Sequence, residues 1–201
     1  SGALPKALNQ QDVDARLILP LYEKIDRQRL SGESVNDVRV EWRGHVHSVR
    51  FLLSDAAGAL AYLLDAPPFF GRPDIYGYQD DHIRFAFFSR AALALLKHLD
   101  WQPDVVNGND WPSGFAMAEL RARRRYDPFF AGIRTLLSLH NVGYQGFFDA
   151  GDLWWLGFGE RPDVDDFMLE RTASALKAGI IAADALSTVS PRYAREIQTR
   201  D

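Results

Sequence analysis

Short apolar, β-branched runs alternate along this chain with longer stretches whose apolar residues recur every three or four positions. Residues 15–19 (ARLIL), 59–64, 104–106, 134–139 (RTLLSL) and 185–189 read as strands, with Pro20 ending the first and Pro67-Pro68 closing the second. Residues 81–99 place Ile83, Phe87, Ala91, Leu95 and Leu99 at steps of four, the period of an amphipathic helix. Residues 112–125 and 165–183 read as further helices, and Ser190-Pro191 opens another with a side-chain cap and proline at its first position. Strand, helix, strand, helix in this order argues for a parallel sheet covered by helices on both faces, because parallel neighbours need a crossover and the crossovers cover the faces. The near-continuous apolar strands agree, since both faces of such strands are buried. Residues 38–42 and 46–53 alternate apolar with polar around Arg43-Gly44-His45, a hairpin inserted into that pattern or lying at its edge.

With 201 residues the chain is sized for one α/β domain. Its formal net charge of −4 makes a general polyanion partner such as nucleic acid unfavourable. The run Arg121–Arg125 then reads as a solvated helix end, where cations complement the dipole. There is no cysteine, which excludes disulfides and thiolate chemistry, and no apolar run reaches the length a membrane helix needs. His45, His47 and His98 lack metal-ligand spacing, so no metal is expected. The chain opens in a helical stretch without Met and stops within another helix, so both ends look cut.

In open α/β sheets ligands sit beyond the C-terminal ends of the strands. Two such segments are rich in polar and aromatic groups. Asn107-Gly-Asn109-Asp110-Trp111-Pro-Ser-Gly114 precedes a helix N-terminus, whose free N–H groups suit sugar oxygens or anions. The plainer reading is a capping loop, with Asp110 satisfying the helix start and Trp111 packed on the sheet. His140-Asn141-Val-Gly-Tyr144-Gln145-Gly146 offers an imidazole, amides and a phenol, groups suited to carbohydrate hydroxyls and sugar faces; the plainer reading is a structured loop with a buried histidine. Asp80, Asp81, His82 and Arg84 open the helix from 81, where acidic residues complement the dipole. The residues alone lead to a polar, aromatic cleft suited to a sugar or nucleotide-sugar enzyme.

Five stretches together resemble bacterial glycogen synthases and plant starch synthases: SGALPKAL (1–8), DDHIRFAFFSRAAL (80–93), PDVVNGNDWPSG (103–114), SLHNVGYQGFF (138–148) and LKAGIIAADALSTVSPRYAREI (176–197). The resemblance implies a GT-B-type glycosyltransferase of two facing Rossmann-like domains. Glucose passes from ADP-glucose to the non-reducing end of an α-1,4-glucan with retention, and no metal or cofactor takes part. Residues 1–201 would then be the N-terminal, glucan-acceptor-side domain, lacking its first strand and the Lys-x-Gly-Gly-Leu loop expected before Ser1. The C-terminal nucleotide-sugar domain is absent, so the chain alone is expected to be inactive. The resemblance assigns Asp110 a catalytic place beside Asn109, which stands where the family reads His in His-x-His-Asp-Trp. It assigns Trp111, His140, Asn141, Tyr144, Gln145, Asp80 and Arg84 to acceptor binding. It also implies a soluble enzyme of the bacterial cytoplasm or plant plastid, without membrane or nucleic-acid partners. A vacant sheet edge or exposed cleft face would invite a homo-oligomer. A non-catalytic glucan-binding or regulatory relative is the alternative, motivated by Asn107 and Asn109; a two-domain transferase with another donor, of the sucrose synthase kind, is a third.

Overall fold

The computed structural model describes residues 3–55 and 58–199, so Ser1, Gly2, Arg200 and Asp201 at the two ends lie outside the described residues. The chain forms two compact units, residues 1–41 with 45–78, and residues 42–44 with 79–201.

The first unit contains α1 (Ala3–Asn9), β1 (Leu17–Pro20), β2 (Ser34–Trp42), β3 (His45–Ser54), β4 (Ala61–Asp65) and α2 (Pro67–Phe70). Its sheet runs β1-β4-β3-β2, with β1 parallel to β4 and β3 antiparallel to it. The expected hairpin is therefore a sheet edge. Arg43 and Gly44 at its tip both have positive φ, 52° and 76°, as a two-residue primed turn requires. Along β2, Val38, Val40 and Trp42 are buried while their neighbours are exposed, so one face alone packs inward.

The second unit holds the parallel sheet, in the order β10-β6-β5 among the described residues: β5 (Val105–Asn109), β6 (Arg134–Leu139) and β10 (Ala185–Thr188). The strand expected at 104–106 continues to Asn109, so Asn107 and Asn109 stand on a strand and not in a loop. Its helices are α3 (Asp81–His98), α4 (Gly114–Arg123), α5 (Asp152–Trp155), α6 (Ala175–Ala182) and α7 (Pro191–Glu196). The helix expected at 112–125 begins two residues later, after a 3-10 turn at Trp111–Ser113. The helix expected at 165–183 is broken. Val164–Phe167 is a 3-10 turn, and β8 (Met168–Leu169) and β9 (Thr172–Ser174) form a short antiparallel pair joined with β7 (Phe147–Phe148). Glu170 at the turn has φ 56°, outside the helical region, and α6 starts only where the Ser174 hydroxyl accepts from Lys177 N–H.

Two glycines make the central crossing. A Cβ on Gly114 of α4 would overlap the Ala175 carbonyl, and one on Gly179 of α6 would lie 2.7 Å from Gly114 Cα and 3.1 Å from Leu137 Cδ2. α4 and α6 therefore approach backbone to backbone over Leu137 of β6. Beyond them Phe115, Phe148, Phe158 and Phe167 pack ring on ring at centroid distances of 4.7–6.4 Å.

The arginine run is not merely solvated. Arg121 pairs with Asp163 and Asp166, Arg124 with Asp184, and Arg123 with Glu119. Glu119 is buried and also meets Arg90 and Arg161, so three guanidiniums surround one carboxylate. Burial opposes ionisation of Asp163, but Arg161 and Arg121 outweigh it and hold the carboxyl below its ordinary value. Arg124 is the main reason Asp184 titrates low, at about 2; burial opposes this, while Thr135 N–H and hydroxyl add two further bonds.

Candidate functional site

The C-terminal ends of β5 and β6 lie side by side, with Asn109 in register with Ser138. On one face of this sheet Gly108 fits against Ser113 and Met117 of the following turn and helix. The opposite face is polar: Ser138 Oγ donates to Asn107 Oδ1 at 3.0 Å and meets Ser187 Oγ at 2.8 Å, linking three strands. Asn109 is pinned from both sides of its peptide. Ser113 Oγ accepts from its N–H at 2.8 Å and donates to its carbonyl at 3.0 Å.

Asp110 sits where the strand turns, with φ 52° and ψ −168°, a conformation strained for any residue but glycine. Its own N–H donates to Ser138 O at 2.9 Å. Its carboxylate does not cap the helix, as the plainer reading had it. Oδ1 accepts instead from the backbone N–H of His140 at 2.7 Å and of Asn141 at 3.2 Å. One strained carboxylate thus fastens the loop after β6 to the end of β5.

The side chains follow from that fastening. Asn109 Oδ1 lies 3.0 Å from His140 Nε2. An amide oxygen only accepts, so His140 donates through Nε2–H, and in the neutral ring Nδ1 keeps its lone pair for a ligand. His140 is exposed, so the expected buried histidine is not what forms. Asn141 Oδ1 accepts from Gly143 N–H at 2.9 Å, an Asx turn at an exposed residue. Tyr144 is 59% exposed.

Gln145 and Trp111 are internal supports. Gln145 Nε2 donates to Val142 O at 2.6 Å, and its Oε1 accepts from Ser174 Oγ at 3.1 Å. Trp111 is buried edge-on against Phe85, with a centroid distance of 5.0 Å, under Gly146. A Cβ on Gly146, whose φ is 60°, would run into the indole. These two hold the loop's shape through hydrogen bonds and packing. Arg84 is fully buried, its Nη1 donating to Asp81 Oδ1 at 2.6 Å, so it braces the start of α3 and cannot meet a glucan directly. The Asp80 side chain makes no capping bond to α3, though its carbonyl accepts Arg84 N–H.

Two supports carry no local signature in the sequence. Ser113 acts across one turn. Tyr193 of α7 accepts Val142 N–H on its hydroxyl at 3.0 Å from 51 positions away, a contact only the folded chain creates. A cavity of about 500 Å³ opens nearby, between the end of β10 and α7, lined by Leu139, Leu186, Thr188, Pro191, Ala194 and Ile197. Among the described residues no cluster of His, Asp or Glu could hold a metal ion, and no helix is long and apolar enough to cross a membrane.

A family model described as the starch synthase catalytic domain matches residues 1–201. The glycogen synthase of Geobacillus thermodenitrificans is 38% identical over 205 residues, covering 99% of this chain and 42% of that protein. That of Clostridium novyi is 40% identical over 207 residues, again covering 99% and 42%. The catalytic domain of Starch Synthase IV from Arabidopsis thaliana, solved bound to ADP and acarbose, superposes with a TM-score of 0.84 at 29% identity, over 98% of this chain and 42% of that one. The chain spans less than half the length of the relatives it matches.

Proposed function

Because the chain belongs to the family of starch synthase catalytic domains, we propose that it is the acceptor-side domain of a GT-B-type enzyme that transfers glucose from ADP-glucose to the non-reducing end of an α-1,4-glucan. The observation that carries this reading is the double hydrogen bond from His140 and Asn141 N–H to Asp110, which makes one wall of two strand ends. On that wall His140, Asn141 and Tyr144 are exposed, and an imidazole, an amide and a phenol ring offer polar groups and an apolar face of the kind a pyranose ring needs. The Starch Synthase IV neighbour carries ADP and acarbose, a nucleotide and a sugar chain, which supports the same pairing here.

In this reading His140, Asn141 and Tyr144 bind and orient the acceptor. Asp110, Gln145, Trp111 and Tyr193 position them, and Arg84 paired with Asp81 braces the start of α3, where the Asp80 carbonyl accepts Arg84 N–H. Asn109 takes the place of a histidine; it cannot carry charge or relay a proton, and acts by fixing the tautomer of His140. A retaining transfer needs preplaced groups that stabilise the developing oxocarbenium ion and the departing phosphate. The chain spans 42% of the length of its relatives; in this reading the donor contacts come from the rest of the enzyme, and residues 1–201 alone are expected to transfer no glucose. The soluble enzyme works in the cytoplasm of a bacterium or in a plastid. The test is incorporation of labelled glucose from ADP-glucose into maltooligosaccharide by the intact protein, with the new linkage read by NMR as α-1,4. Incorporation supports the reading. Glucan binding without incorporation favours the second reading, a non-catalytic glucan-binding relative, which the presence of Asn109 in place of a titratable histidine motivates.

A further inference from the structure

Helix α5 exposes two adjacent tryptophans, Trp154 at 63% and Trp155 at 64%, an unusual surface for a helix of four residues. Their surroundings differ. The Trp154 indole lies over Gly159, where a Cβ would stand 2.6 Å from the ring, so it serves local packing. Trp155 lines a recess of about 180 Å³ with Trp42, Arg43, Ile83, Asp152 and Leu156. The Arg43 guanidinium, at the hairpin tip, stands 4.9 Å from the Trp155 ring centroid and covers part of the indole. Asp152 Oδ2 is held by His82 Nε2 at 2.9 Å, and Oδ1 has no hydrogen-bond partner among the described residues. His82 in turn stacks on Phe148 at 5.0 Å with the planes 5° apart, and Phe148 lies two residues beyond Gly146 of the acceptor loop.

An indole that is 64% exposed, with a guanidinium over part of the ring and a carboxylate oxygen beside it, fits a sugar ring on the part left uncovered. Its C–H face stacks on the indole while its hydroxyls donate to Asp152 Oδ1 and accept from Arg43. We propose that the Trp155 recess is a second carbohydrate-binding site, holding a glucose unit of an α-glucan chain away from the reacting end. The identity of the sugar polymer rests on the reading given above; the stacking chemistry does not.

The test uses the intact protein. Retention by glycogen in native affinity gels is expected to fall roughly tenfold in Trp155→Ala, the size of one lost aromatic anchor, with transfer to the short acceptor maltose unchanged and Trp154→Ala retained as wild type. Independently, maltoheptaose is expected to shift the Trp155 indole N–H resonance of the wild-type protein, identified by its absence in Trp155→Phe. An unmoved indole, or full retention by Trp155→Ala, overturns the proposal whatever the transfer rate. A shifted indole in a protein that transfers no glucose upholds the site and overturns the transferase reading instead. Should Trp155→Ala fail to fold, the wild-type indole titration decides alone.

Discussion

Replacing Asp110 by glycine and, separately, by alanine divides its role into two opposed parts. The carboxylate accepts two backbone N–H groups. A hydrogen bond to a charged group contributes about 1.5–3 kcal/mol when buried, and water competes at this partly exposed site, so about 1 kcal/mol each is reasonable. Against this stands the backbone at φ 52°, ψ −168°, which costs a non-glycine residue about 1–3 kcal/mol. Alanine loses both bonds and keeps the strain, so Asp110→Ala is expected to be about 2 kcal/mol less stable than the parent. Glycine loses the same bonds, relieves the strain, and gives back about 0.5–1 kcal/mol through its freer unfolded chain. Asp110→Gly is therefore expected to be about 1 kcal/mol more stable than Asp110→Ala. Urea unfolding measures both, and amide exchange at His140 and Asn141 reports the loop directly. Both variants are expected to lose protection at these two amides. Glycine no more stable than alanine would refute the strain; unchanged protection at 140 and 141 would refute the fastening.

Gly114→Ala would push a methyl group into the Ala175 carbonyl at the α4–α6 crossing, and is expected to lose about 3 kcal/mol or more in a urea titration, since backbone must move. Gly146→Ala meets the Trp111 ring at a positive φ and is expected to quench acceptor binding by calorimetry more than it lowers the melting temperature. Asp184 titrates at about 2 in the fold against an ordinary 3.8. A lowered pKa stabilises above the unfolded value, so this contribution is complete above pH 4 and lost as pH falls from about 4 to about 2. Screening at the partly exposed carboxylate reduces it to about 1 kcal/mol, and Asp184→Asn is expected to flatten that limb of the stability-versus-pH curve.

Much of the architecture was legible before the structure. Leu95 and Ala91 announced α3 by their period, Ser190-Pro191 announced α7 by its cap, and RTLLSL announced β6. The continuous helix at 165–183 was not real, because its apolar spacing also suits two short strands. Only Glu170 in the left-handed region and the Ser174 cap decide between them, and neither is a periodic signal. The ends of β5 and β6 were rightly singled out as neighbours. The division of labour there was not readable: whether a residue such as Gln145 faces a ligand or its own loop depends on Ser174, which is 29 positions distant. The buried state of Arg84 likewise follows from packing and not from composition.

The most direct test of the acceptor-side assignment is calorimetric binding of maltooligosaccharide and of ADP-glucose to the intact protein and its His140→Ala and Asn141→Ala variants. The expected result is at least tenfold weaker oligosaccharide binding with ADP-glucose affinity unchanged, since in the proposed reading each variant removes a polar contact to the acceptor alone. Loss of ADP-glucose binding with oligosaccharide affinity intact would contradict the account.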